Sequence, residues 1–232
     1  MLRNAKKRLM GWVRRRVLSA ESLNLRQCSV PDLWNDYFRD AVRFIDEQWE
    51  QIIWPLIAQF DFSAVVELAP GAGRNTAKLC PLSGILYAVD LNDYALRQCK
   101  QYVEAKCPDT ASRVRYVRND GKQLAAIPDG TITAIYSWDS AVHFDRSVLQ
   151  SYIAEFARVL KPGGKGFVHH SDLGDRADKD IDRNPHLRSN MSAELFARYC
   201  KASGLEVVVQ REIPWSGIVD CVTVFRKPEG RA

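Results

Sequence analysis

From residue 63 onward, short runs of apolar and β-branched residues alternate with segments of helical periodicity. The runs cover residues 64–69, 84–90, 113–119, 132–138 and 164–171, and the helical segments lie near 74–80, 93–106 and 146–160. Strands that alternate with helices in this way predict a parallel sheet with helices packed on both of its faces.

The end of the chain departs from this alternation. A helical segment near 192–203 is followed by two strand-like runs at 205–213 and 219–225. The linker between these runs is too short for a crossover helix, so the two strands must pair antiparallel. The sequence therefore predicts an α/β fold of Rossmann-like type. It has a mostly parallel seven-stranded sheet with helices on both faces and an antiparallel final strand, plus N-terminal helices.

Residues 1–62 read as a helical extension that precedes a domain over 63–232. Residues 1–20 place Leu, Trp and Val on one side of a helix and most of their Arg and Lys on the other. Such a helix either packs on the protein or a second subunit, or lies on an anionic membrane surface. Two further helical stretches, about 31–45 and 46–60, are rich in aromatic residues, and they either pack against the domain or cover a substrate pocket.

The net charge of +5 comes from the N-terminus, because residues 1–26 hold eight basic residues and one acidic residue. The rest of the chain carries a net charge of −2, so a broad nucleic-acid surface is not expected. No apolar run reaches membrane-spanning length. The six cysteines lack metal-binding spacing, which favours a reduced, cytoplasmic protein. Through residues 1–20, such a protein would make at most a weak peripheral contact with the inner membrane face. The oligomeric state stays open.

Acidic and small residues follow the first three predicted strands. The first strand leads through Glu67 into a small-residue loop that ends at Gly73, and a ligand can approach the backbone of such a loop. The acid would repel a phosphate and suits a cationic group. Asp90 ends the second strand, where a carboxylate can accept both hydroxyls of a ribose, and Asp120-Gly121 follows the third strand.

Residues 63–226 resemble the class I S-adenosylmethionine-dependent methyltransferases. The resemblance rests on the loop and acids just described and on three further segments, Pro128-Asp129-Gly130, Trp138-Asp139-Ser140 and Ala157–Gly164. It implies S-adenosyl-L-methionine as the cofactor, held by Glu67, Ala69, Gly71, Gly73, Asp90, Leu91, Asp120, Gly121, Ser137 and Trp138. Ala69 stands where the family usually has a glycine, and we expect alanine to cost little there.

The acceptor of the methyl group should bind beyond the carboxyl ends of strands four and five. His143 follows strand four, and His169 and His170 end strand five. A histidine there can remove the proton of a hydroxyl acceptor, whereas an amine acceptor needs only to be neutral. Adjacent strand residues point to opposite faces, so one of the pair should reach the pocket, and His170 is favoured because it is nearer the strand end.

Other polar residues near this edge have two interpretations. Asp139 is expected to contact the substrate, although with Asp172 and Asp175 it could instead form an oxygen-rich Mg²⁺ site. We favour the interpretation without a metal. Arg188 and Asn190 are expected to contact substrate hydroxyls or a carboxylate, and Asn190 could equally cap a helix.

The sequence thus predicts an enzyme that methylates a small molecule, with a hydroxyl of a sugar or secondary metabolite as the acceptor. Methylation of a small amine is the first alternative, and methylation of RNA is disfavoured by the acidic body of the chain. A catalytically inactive partner protein that only binds the cofactor is the alternative outside enzymes. It would be favoured by histidines that are buried and turned away from the methyl group.

Overall fold

The computed structural model describes residues 41–177, 184, 187–215 and 217–230. Seven strands form one sheet in the order β3-β2-β1-β4-β5-β7-β6. Their bounds are β1 Ala64–Leu68, β2 Ile85–Asp90, β3 Val114–Arg118, β4 Ile132–Ser137, β5 Leu160–Ser171, β6 Glu206–Trp215 and β7 Ile218–Arg226. The first five strands are parallel, and β7 runs antiparallel to both β5 and β6. The predicted fold class is confirmed.

Helices connect the strands as the alternation predicts. Their bounds are α1 Ile45–Gln48, a π turn Trp49–Ile53, α2 Trp54–Ile57, α3 Thr76–Leu79, α4 Asp93–Lys106, α5 Arg146–Val159 and α6 Ala193–Ala202. Short 3₁₀ turns lie at Ala111–Arg113, Ala141–His143 and Gly174–Arg176. The predicted helices at 93–106 and 146–160 are each observed to within one residue. The predicted basic helix over 1–20 and most of the stretch 31–45 lie outside the described residues.

Two apolar cores cover the two faces of the sheet. On one face, α5 and α6 bury large side chains such as Phe156 and Phe196 against Val66 and Val168. On the other face, the segment from α1 to α2 and helix α4 bury Ile53, Ile57 and Val103 against neighbouring strand residues. No helix among the described residues is long and apolar enough to cross a membrane.

The carboxyl ends of the parallel strands meet at one edge of the sheet. Because β7 is antiparallel, its first residues lie at the same edge, and Asp220 of β7 pairs with Ser171 at the end of β5. Polar residues that are far apart in the sequence are therefore brought together beyond β1, β4, β5 and β7.

Gly166 in β5 leaves room for an aromatic ring from the neighbouring strand β7. It pairs with Phe225, and a Cβ atom at Gly166 would lie 2.1 Å from the Phe225 ring. The ring packs in turn on Phe156 of α5, with 5.9 Å between ring centroids. This glycine lets an aromatic side chain lie flat on the strand that leads to the histidines.

We predict that Gly166→Ala lowers the free energy of unfolding by about 1–3 kcal/mol, because overpacking must displace the buried Phe225 ring. Chemical denaturation measures the change. Gly230→Ala is the matched control, since a Cβ atom there meets nothing within 4 Å. Equal stability of the two variants would contradict this description of the packing.

Candidate active site

The loop after β1 has the open geometry that close ligand approach requires. Gly71 has a φ of +57°, and a Cβ atom there would meet nothing within 4 Å. At Gly73, φ is +90° and a Cβ atom would lie 2.9 Å from the sulfur of Cys99 in α4. Gly71 thus leaves space above the loop, whereas Gly73 allows α4 to pack tightly beneath it.

Ala69 adopts a left-handed backbone conformation, with a φ of +54°. An L-residue with a side chain pays roughly 1–2 kcal/mol in this region. The expectation that alanine costs little at this position is therefore corrected. The conformation is held by two hydrogen bonds, from the Ala69 N–H to the Val89 carbonyl at 2.8 Å and from the Ser140 hydroxyl to the Ala69 carbonyl at 2.8 Å.

Glu67 is a buried carboxyl group at the end of β1, with 2% of its surface exposed. Burial raises its pKa to about 8, although Thr76 and Arg74 oppose the shift. Its Oε2 atom is buried and has no hydrogen-bond partner among the described residues. An acid that is buried with an unsatisfied oxygen next to an open loop can receive a hydrogen bond from a ligand.

Asp90 ends β2 beside the same loop. Its pKa is raised to about 6 by burial, which hydrogen bonds from the backbone N–H groups of Asn92, Gly71 and Leu91 partly offset. Leu91 approaches the loop after β3, since a Cβ atom on Gly121 would lie 3.2 Å from its side chain. The carboxylate and the Gly71 backbone are thus adjacent.

Asp120 lies exposed in the loop after β3. Its Oδ1 atom accepts hydrogen bonds of 2.8 Å from the backbone N–H groups of both Lys122 and Gln123. These bonds lower the pKa of the carboxyl group, so it stays ionised. One oxygen of Asp120 thus helps to fix the shape of this loop.

Ser137 and Trp138 use their side chains inside the protein. The Ser137 hydroxyl donates to the Leu68 carbonyl at 3.1 Å, and the Trp138 indole N–H donates to Gln48 at 3.1 Å. The Trp138 ring also stacks on His169, with 4.3 Å between ring centroids. Contacts of this pair with a cofactor would therefore come from their backbone atoms.

Asp139 carries a buried ion pair with Arg74, at 2.7 Å between Oδ2 and the guanidinium. Burial disfavours the charge of Asp139, yet Arg74 and then His169 outweigh this effect and lower its pKa. The backbone N–H of Asp139 donates to Nδ1 of His169 at 3.3 Å. Asp139 is a non-glycine residue with a φ of +60°, so the turn after β4 is held in a strained conformation.

His143 ends the 3₁₀ turn after β4 and is half-buried. Its Nδ1 atom lies 3.0 Å from the Leu187 carbonyl, which can only accept, so Nδ1 carries the proton. Burial and then the positive charge of Arg188 lower the pKa of His143, so the ring is neutral near pH 7. Nε2 makes no hydrogen bond to a described residue and keeps its lone pair.

His170 lies in the core, which argues against its predicted role as the histidine of the pair that reaches the pocket. Its Nδ1 bonds to the Ser171 carbonyl and its Nε2 to the Thr223 hydroxyl, both at 2.8 Å. The ring stacks on Phe196 of α6 and has no exposed surface. Burial lowers its pKa to about 4. Both ring nitrogens are used by the protein, so His170 has none left for a reacting molecule.

His169 points to the opposite face, as the strand geometry predicts. It is fully buried, and its Nε2 atom lies 3.4 Å from Oδ2 of Asp220. Its Nδ1 atom faces the Asp139 N–H, and its Nε2 atom faces the Asp220 carboxylate. His169 therefore joins the turn after β4 to the start of β7.

Arg188 and Asn190 also bond within the protein rather than standing free for a substrate. The Arg188 guanidinium makes three hydrogen bonds of 2.7–3.0 Å to Asp220, and both residues are buried. The Asn190 side chain accepts from the backbone N–H of Arg146 at 3.0 Å, so it caps the start of α5. The capping alternative therefore describes Asn190, although at the preceding helix.

The carboxylates of the Mg²⁺ alternative have other partners. Asp139 pairs with Arg74, Asp175 pairs with Arg146, and Asp172 accepts from the backbone N–H of Ala193. Within the described part of the chain, no group of three or more His, Cys, Asp or Glu residues is arranged to hold a metal ion. These contacts argue against that alternative.

Sequence reasoning missed Arg74, Leu187 and Asp220. Leu187 contributes through its carbonyl, which leaves no trace in the sequence. Asp220 did leave one, because it is a charged residue in a mostly apolar run that forms a buried strand. A buried charge must be paired, so the run indicated a cationic partner elsewhere in the chain.

Comparisons with known proteins agree with this geometry. Residues 65–164 match the family model described as a methyltransferase domain. A sterol 24-C-methyltransferase of Yarrowia lipolytica is 27% identical over 150 residues, which are 64% of this chain and 36% of that protein. One from Aspergillus fumigatus is 31% identical over 105 residues, 45% of this chain and 26% of that protein. The chain thus spans half or less of the length of these curated relatives.

Solved structures share the fold. A geranyl diphosphate methyltransferase in complex with GPP and sinefungin has a TM-score of 0.65 at 14% identity, covering 80% of this chain and 79% of that one. An O-methyltransferase family protein from Burkholderia thailandensis has a TM-score of 0.67 at 18% identity, covering 92% of this chain and 64% of that one. The sheet order, the loop after β1 and the match over residues 65–164 together show a methyltransferase domain with a Rossmann-like fold.

Proposed function

We propose that the chain transfers a methyl group from S-adenosylmethionine to a hydroxyl of a small molecule, with His143 as the general base. The observation that carries the proposal is the hydrogen bond from Nδ1 of His143 to the Leu187 carbonyl. It leaves an unprotonated Nε2 at the carboxyl end of β4, which is where the acceptor should bind. A sugar or another secondary metabolite is the proposed acceptor class.

The cofactor would bind across the loop after β1. Gly71 leaves space for it, the Asp90 carboxylate would accept from the ribose hydroxyls, and Glu67 would face its amino group through the loop or a water molecule. Asp120 would contact the adenine. When bound, the cofactor supplies a methyl group on a positively charged sulfur. The unsatisfied oxygen of Glu67 fits a ligand that donates a hydrogen bond or carries a positive charge.

A neutral imidazole is suited to the role that we assign to His143. Its lowered pKa keeps Nε2 free to take the proton of the acceptor as the oxygen attacks the methyl group. General base catalysis of this kind contributes about 10²–10⁴-fold to the rate. Alignment of the acceptor oxygen with the methyl group and the sulfur would supply much of the remainder.

Methylation at carbon is a second candidate, because the curated relatives named above are sterol 24-C-methyltransferases and one structural neighbour is a geranyl diphosphate methyltransferase. A panel of phenols, sugars, amines, prenyl compounds and sterols, incubated with cofactor labelled in the methyl group, separates the candidates. Label in a prenyl or sterol product alone would replace the hydroxyl proposal. Label in a small amine alone would favour the N-methyltransferase.

We also propose a cellular location for the enzyme. A cytoplasmic location rests on the spacing of the cysteines. Weak attachment to an anionic membrane surface through residues 1–20 rests on the charge pattern of that segment. A nucleic-acid acceptor is disfavoured by the net charge of −2 outside residues 1–26.

The burial of Glu67 predicts a pH-dependent effect of Glu67→Gln on the protein without ligand. Unfolding lowers the pKa of Glu67 from about 8 to its ordinary value near 4.5, so the wild type loses stability as pH rises between these values. The variant has no such group. Its gain in free energy of unfolding over the wild type should therefore grow from near zero at pH 5 to about 1–4 kcal/mol at pH 8.

Thermal unfolding measured across this pH range gives the comparison, with Glu104→Gln at an exposed position of α4 as the control. The control should show no such trend, because its side chain is solvated in both states. A Glu67→Gln variant whose advantage shrinks as pH rises would mean that Glu67 is ionised in the free protein.

His143→Ala and His170→Ala should fail in different ways. With an acceptor from the panel, His143→Ala should lose about 10²–10⁴-fold in kcat and still bind S-adenosylhomocysteine. His170→Ala should lose about 2–4 kcal/mol of stability, because it leaves a cavity and removes the acceptor of the Thr223 hydroxyl. Kinetics, calorimetry and denaturation separate the two results. Full activity of His143→Ala would end the base assignment.

A further inference from the structure

Residues 187–190 form a short segment, here called the strap, that lies against the 3₁₀ turn carrying His143. The Ser189 N–H donates to the Val142 carbonyl at 2.9 Å, and the Leu187 carbonyl accepts from His143 at 3.0 Å. Leu187, Arg188 and Ser189 are all buried. The strap therefore contacts the proposed base through a backbone atom, whose place depends on how the strap itself is held.

The backbone of the strap is under strain at the residue that contacts His143. Leu187 has a φ of +50°, a conformation that costs a residue with a side chain roughly 1–2 kcal/mol. Such a conformation persists only where the surrounding structure determines it. Strain at this position means that the Leu187 carbonyl is directed at His143 by other contacts and not by local preference.

Those contacts converge on Arg188. Its guanidinium bonds to both carboxylate oxygens of Asp220, at 2.7–3.0 Å. Its backbone is clamped by the Asn184 side chain, which donates to the Arg188 carbonyl at 2.7 Å and accepts from the Arg188 N–H at 2.9 Å. A further bond of 2.8 Å joins the Ser171 hydroxyl to the Ser189 carbonyl.

Asp220 is placed to receive the strap rather than a substrate. It lies on β7, fully buried, with Arg188 on one side and Nε2 of His169 at 3.4 Å on the other. The ion pair is thus shielded from water, and its two-point geometry fixes the direction of the arginine side chain. Arg188 is therefore tied to the sheet, and the strap with it.

We propose that Arg188 and Asp220 are positioning residues that fix the tautomer of His143 by holding the Leu187 carbonyl against Nδ1. The catalytic consequence rests on the proposed role of His143 as the base. The effect on the tautomer does not, and it can be measured without any acceptor. The role assigned to Arg188 thus differs from the direct substrate contact expected from the sequence.

Nitrogen-15 NMR of the histidine rings in the full chain tests the proposal, with the His143 signals identified by their absence in His143→Gln. In the wild type, His143 should be protonated at Nδ1 alone. In Arg188→Lys, which keeps the charge and loses the two-point pairing, the ratio of the two tautomers should shift about tenfold toward Nε2–H, the worth of one hydrogen bond. Arg146→Lys, at an exposed ion pair, should leave the ratio unchanged.

Removing one member of a buried ion pair can unfold a protein, so a second variant leaves the pair intact. Asn184→Ala removes the clamp on the Arg188 backbone and should shift the His143 tautomers in the same direction. With an identified acceptor, both variants should lower kcat by no more than about tenfold, the size of the tautomer shift, while S-adenosylhomocysteine affinity and KM change little.

A folded Arg188→Lys variant that keeps His143 protonated at Nδ1 alone would overturn the proposal. A rise in KM without a loss of kcat would also overturn it, because that result would indicate that Arg188 contacts the substrate directly. Failure of the proposed function looks different: His143→Ala would remain active, while the tautomer shift in the Arg188 and Asn184 variants would still be observed.

Discussion

The buried Asp220 carboxylate is the group on which the arrangement of the acceptor side depends. A carboxylate taken out of water must be paired, and here it is paired with Arg188 and faces His169. Burial raises its pKa, yet these partners outweigh the effect and lower it, so Asp220 is ionised at neutral pH. One charge on an antiparallel strand thereby ties the strap to the turn after β4.

The segments around the site contain strained backbone. Among the residues that the structure describes, three non-glycine residues, Ala69, Asp139 and Leu187, have positive φ values, and all three lie in the segments that surround the site. Hydrogen bonds between those segments, such as the one from Ser140 to the Ala69 carbonyl, hold this strain. Strain of this kind is typical of sites that are shaped before a ligand binds. Glu67 is also placed before a ligand binds, because one oxygen of its buried carboxyl group has no hydrogen-bond partner among the described residues.

The sequence predicted the sheet and most helices because those depend on local periodicity. It also found the acids at the ends of β1 and β2, because strand ends can be read from the same pattern. The roles of His170 and Arg188 could not be read in this way. Whether a ring nitrogen is free depends on residues 53 positions away, such as Thr223, and Arg188 meets Asp220 across 32 positions. Such pairings are set by the packed fold and not by neighbouring residues.

Calorimetric titration of the full chain with S-adenosylhomocysteine tests the cofactor site most directly. We expect binding in the micromolar range, near −8 kcal/mol, and a loss of roughly 1.5–3 kcal/mol in Asp90→Ala. Asp93→Ala, three residues along at an exposed ion pair with Arg118, should bind like the wild type. Undetectable binding to the wild type, or equal affinity of the Asp90 variant, would contradict a cofactor site at the ends of β1 and β2.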